Sequence, residues 1–141
     1  MKENIISKAL VMALDDLFNK KSPVLYVDMD LSDREIVQNI INLKSGVKIQ
    51  NIRSGFLTVA DYEKVLTIMA LIDEAPLHIL DKSSKNIEQI KHAILKLSKE
   101  NEMIKMFVDY EEKDMYLIEE VKNNSIIPIT AIMKNYNDKI N

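Results

Sequence analysis

Apolar positions along the chain alternate between two rhythms. Over residues 4–18, Ile5, Ile6, Ala9, Leu10, Ala13 and Leu17 recur at helical spacing and share one face. Pro23 then opens Val24-Leu25-Tyr26-Val27, a short β-branched run that predicts a buried strand. Ser32 stands three residues before Glu35, a capping box for a helix over about 32–43. Thr58, followed by Asp61, opens a further helix running to about 72. Pro76 to Leu80 reads as a second strand. Ile87, Ile90, Ile94 and Leu97 mark a helix over roughly 85–99. Ile104 to Val108 is a third strand, ending at Asp109. A helix over about 113–123 leads to a fourth strand, Ile126 to Ile132. Strands separated by helices of this length require parallel pairing with helices on both faces. The pattern therefore predicts one three-layer α/β domain over 1–141 with at least four strands.

Composition narrows the class without naming a chemistry. Hydrophobic residues make up 47% of the 141 and charged residues 29%, which excludes a disordered chain. A net charge of −3 gives no broad cationic surface for nucleic acid. With no cysteine there is no thiol catalysis and no cysteine-held zinc. The longest apolar run, Val65 to Ile72 with Thr67 inside it, is far short of the roughly 20 residues that span a bilayer. No secretory signal is evident in residues 1–20, so a cytoplasmic protein without a membrane partner is expected. The two glycines, Gly46 and Gly55, form no phosphate-binding loop, because such loops need several glycines at fixed spacing.

Ligands of open parallel sheets bind beyond the carboxyl ends of the strands. At that edge the first strand ends in Asp28-Met29-Asp30 and the third in Asp109. His78 and His92 share no ligand spacing and read as structural or solvent-facing. Lys82, Lys85, Lys91, Lys96 and Lys99 read as a solvated helix face.

The order of these segments resembles the C-terminal, RecA-like motor domain of replicative DNA helicases of the DnaB class. Asn51-Ile52-Arg53-Ser54-Gly55-Phe56-Leu57-Thr58 with Asp61-Tyr62 is similar to the family's NLRSGKLT segment. Glu74 to Asp81 looks like its EAPIYIDD strand, and Leu31-Ser32 with Ile36-Val37-Gln38 follows its SLEMS pattern. Val108-Asp109-Tyr110 stands at the Walker B position, and Ile127 to Ile132 looks like the VPVIALSQ strand. The resemblance covers about 9–134.

The departures from the family pattern decide what it implies. Asn4, Ile5 and Ile6 stand where Gly-Lys-Thr of the P-loop would, and the strand before that loop is absent. The family's catalytic Glu falls on Asp30, and the Gln ending its last strand falls on Lys134. Asp30 and Asp109 are thus remnant catalytic positions, and no cofactor is expected, because the phosphates of a nucleotide would lose their main donors. The sharper alternative has Asp28, Asp30 and Asp109 converging on Mg²⁺ in a weak metal- or nucleotide-binding enzyme; a relic of a longer helicase is a third reading. DNA binding is not expected, since Glu111, Glu112 and Asp114 make the relevant loop acidic. Helicase subunits assemble through faces of this domain, which implies a non-catalytic protein that contacts a replicative helicase, its loader or a second copy of itself. Loss of the P-loop strand should leave the last strand at a sheet edge, with Ile126, Ile127, Ile129 and Ile132 as the interaction residues.

Overall fold

The computed structural model describes residues 7–134. Helix α1 (Lys8–Leu14) continues into a π-helical turn (Asp15–Asn19) and is followed by β1 (Val24–Asp28). Three helices come next, α2 (Asp33–Ser45), α3 (Ile49–Ser54) and α4 (Val59–Glu74). The chain then runs β2 (Leu77–Ile79), α5 (Ile87–Glu100), β3 (Lys105–Tyr110), α6 (Met115–Asn123) and β4 (Ile129–Met133). The strands form one parallel sheet in the order β2-β1-β3-β4.

Local chemistry explains most boundaries. The side chains of Ser7, Ser32, Thr58 and Asn86 each accept the backbone N–H three residues on, capping α1, α2, α4 and α5. Gly46 and Gly55 end α2 and α3 at φ 76° and 80°, a left-handed geometry that a side chain disfavours. Helix α3, absent from the sequence-based expectation, fills the short stretch between them. The first helix is described from Lys8 onward; Ile5 and Ile6 lie outside the described residues. At its far end the wider π turn carries Asp16 inward, where its carboxylate meets Lys20 at 3.1 Å and Lys105, at the start of β3, at 3.2 Å. Burial alone would raise the Asp16 carboxyl, but hydrogen bonds and charge from Lys20 and Lys105 outweigh it and hold the group below its ordinary range.

Because β1 and β3 are buried on both faces, their side chains alternate between two cores. Val24, Tyr26 and Phe107 pack beneath α1 and α2 with Leu10, Ala13, Ile36 and Ile40. Leu25, Val27, Met106 and Val108 pack on the other face against α5 and α6 through Ile90, Ile94, Ile118 and Val121. A smaller cluster, Ile41, Val47, Val65 and Ile68, joins α2, α3 and α4. The three layers inferred from the apolar rhythm are present.

The fourth strand starts later than its apolar run does. The Ser125 hydroxyl donates to the Ile127 carbonyl at 2.8 Å and accepts the Ile127 N–H at 3.1 Å, which curls the segment before it reaches the ladder. Pro128 then has no N–H to offer, and β4 begins at Ile129. Among the described residues, β4 lies at an edge of the sheet.

Candidate functional site

The crossover from β1 leads outward to β2, whereas that from β3 leads the opposite way to β4. The two chain paths diverge between β1 and β3, the place where open α/β sheets seat ligands. Asp28 and Asp109 are register partners at the carboxyl ends of these strands, and both are buried. The two acids that end separate apolar runs in sequence are therefore neighbours in the fold.

The chain's own groups surround them. Asp28 Oδ1 accepts the backbone N–H groups of Asp30 and Leu31, each at 2.9 Å, and the Lys134 ammonium at 3.0 Å. Ser7, at the start of α1, donates its hydroxyl to the Asp109 carboxylate and lies 3.2 Å from the Tyr26 hydroxyl. With the Ser7 proton directed to Asp109, Tyr26 is the donor in that second contact. Beyond the last register pair, the Met29 N–H reaches the Asp109 carbonyl at 2.9 Å and closes the seam between β1 and β3. Lys85 is buried and donates to the Leu31 carbonyl, which holds the loop after β1 against the start of α5.

The electrostatics follow from this packing. Burial, with charge from Asp28 and Asp30, pushes the Asp109 carboxyl up to about 6 against the opposing pull of Ser7 and Lys134. Burial would lower the Lys134 ammonium, but the carboxylates of Asp28, Asp109 and Asp30 outweigh it and raise the group above its ordinary value. Tyr26 is raised by burial and by the charge of Asp109, and stays neutral.

Asp28 and Asp109 thus come together, with Asp30 half-buried on the loop just beyond them. Among the described residues no group of three acids or histidines is arranged to hold a metal ion. Ser7 and Tyr26, which complete the cluster with Lys134, carry no sequence signal of it. Lys134 is marked in the sequence only as the residue standing where the family's last strand ends in Gln. Lys85, read as part of a solvated face, is instead interior; Lys96 and Lys99 are exposed, and Lys91 meets Glu120 at 3.4 Å. His92 is exposed, and His78 is half-buried in β2. Of the four isoleucines expected at the edge, Ile127 and Ile129 pack on the α5–α6 core and Ile132 on the α1–α2 core. Ile126 is 65% exposed.

A parallel sheet in this order, with acids at the divergence of β1 and β3, belongs to the RecA-like ATPase class. The chain superposes on a solved ATPase domain with a TM-score of 0.71 at 15% identity, covering 92% of this chain and 52% of that one. It also superposes on a DnaB-like replicative helicase, solved in a study of its interactions with primase, with a TM-score of 0.64 at 11% identity, covering 84% and 33%. Residues 3–139 match the DnaB-like helicase C terminal domain family, and the chain belongs to that family. It is similar to the replicative DNA helicase DnaB of Treponema pallidum, 24% identical over 102 residues that make up 72% of this chain and 23% of the relative. The DnaB of Mycobacterium leprae is 28% identical over 82 residues, 58% of this chain and 14% of the relative. The chain spans less than a quarter of the length of these relatives. Among the described residues no helix is long and apolar enough to cross a membrane.

Proposed function

We propose that this helicase-related protein acts in DNA replication as a docking domain without catalysis of its own, binding a replicative helicase subunit or its loader through the edge of β4 that no other described strand covers. The observation that carries this reading is the chemistry of that edge. Met106 N–H donates to the Pro128 carbonyl and Lys134 N–H to the Tyr110 carbonyl. In a parallel ladder the intervening residues alternate, so Thr130 and Ile132 also face β3. The backbone groups of Ile129, Ala131 and Met133 then point away from the sheet. No charge lies within Ile129–Met133 to discourage a further strand. Exposed Ile126 and Met133 place apolar surface at either end of that edge. Family membership supports a helicase as the partner, because a domain of this fold is part of the helicase itself. One structural neighbour was studied with primase, which makes primase a further protein to try.

The test mixes the purified chain with the replicative helicase and loader of the same organism and reads complex mass by light scattering. The expected result is a stable complex that Ala131→Pro abolishes. That substitution deletes an outward N–H and leaves the β3–β4 ladder intact. Absence of any complex, or a complex indifferent to Ala131→Pro, overturns the proposal. A homodimer dissolved by the same substitution would instead make a second copy the occupant.

A further inference from the structure

We infer that the Lys134 ammonium is a built-in replacement for a bound cation, sealing the crevice between β1 and β3 against divalent metal ions. Two facing carboxylates in a buried setting need positive charge beside them. A fold of this class invites a divalent ion there, held by several oxygen ligands. The donor set does not fit one. Asp28 Oδ1 already takes three donors, Lys134 among them at 3.0 Å. An incoming metal ion would lie against that ammonium, a like charge in a water-poor site. Asp109 is engaged by Ser7, and the Met29 N–H to Asp109 carbonyl bond closes the backbone seam. Lys134 is itself held in place, since its N–H is the last rung of the β3–β4 ladder, 2.7 Å from the Tyr110 carbonyl. One residue therefore neutralises the acids and fastens the end of the edge strand across β3 to β1. The inference stands apart from the docking proposal and fails or survives without it.

The test is Mn²⁺ titration of the full chain, followed by calorimetry and by melting temperature with Mn²⁺ or with EDTA. The wild-type chain is expected to show no saturable Mn²⁺ site and the same melting temperature in both conditions. Lys134→Met keeps the length of the side chain and removes the charge. It is expected to melt lower in EDTA, to gain a saturable Mn²⁺ site, and to recover stability when that site fills. Should Lys134→Met not fold, the pair Lys134→Met with Asp28→Asn is expected to restore a folded, Mn²⁺-indifferent chain, because the excess negative charge is gone. Saturable Mn²⁺ binding by the wild type that Asp28→Asn abolishes overturns the inference. So does a Lys134→Met chain that is as stable as wild type and blind to Mn²⁺, or a double variant that stays unfolded.

Discussion

At Asp109 a single carboxyl carries a pH dependence that can be read in unfolding. Its pKa is about 6 in the fold, against roughly 3.9 in an unfolded chain. The folded state therefore holds the proton more tightly, and stability falls as pH rises between about 4 and 6. At about 1.4 kcal/mol per pKa unit, ionising Asp109 costs the fold about 3 kcal/mol. The groups facing it are Asp28, Asp30, Ser7 and Lys134. Asp109→Asn should remove this decline, so that urea midpoints measured from pH 4 to 7 no longer drop through that window. Asp16 works in the opposite sense. Its lowered pKa stabilises the fold above about pH 4 and is lost on further acidification. Asp16→Asn should flatten the acid limb below pH 4 and leave the limb between 4 and 6 unchanged.

Among the elements, α2 and β4 have contrasting determinants. Helix α2 is specified locally, by Ser32 at its start and Gly46 at its end. Nothing lies within 4 Å of where a Gly46 Cβ would stand, so Gly46→Ala tests backbone strain alone. A cost of about 1 kcal/mol is expected, from the left-handed φ that alanine resists, read as a lower urea midpoint at unchanged slope. Strand β4 is specified by its neighbours. Its apolar run begins at Ile126, but Ser125 and Pro128 delay the ladder to Ile129, which leaves Ile126 at the surface. Thr130→Pro removes an N–H bonded to β3 and should unfold the edge, whereas Ala131→Pro should leave circular dichroism and melting nearly unchanged. The difference between those two variants checks which side of β4 is open.

For the whole molecule, the filled crevice and the uncharged edge lead to two expectations. The chain alone should turn over no ATP above a buffer control in a phosphate-release assay, because among the described residues no glycine-rich phosphate loop accompanies Asp109. A complex formed along β4 should survive high salt, since backbone hydrogen bonds and apolar contact are not screened as surface ion pairs are. Dissociation of the complex as salt rises would point to a charged surface elsewhere on the domain.

Element types and their order were legible in one dimension because each strand and long helix carries its own apolar period and many of the helices carry their own caps. The parallel three-layer arrangement followed from that alternation, and the acids at the strand ends were visible as the ends of apolar runs. Helix α3 was not legible, for its six residues are too few to display a period. Nor was the cluster around Asp28. Ser7 and Lys134 are separated from Asp109 and Asp28 by most of the chain; the register of β1, β3 and β4 brings Lys134 to Asp28, and the packing of α1 on the sheet brings Ser7 to Asp109. Local periodicity says which face of an element is buried; it carries no information about which distant charge will lie 3 Å away, and that depends on how the layers close.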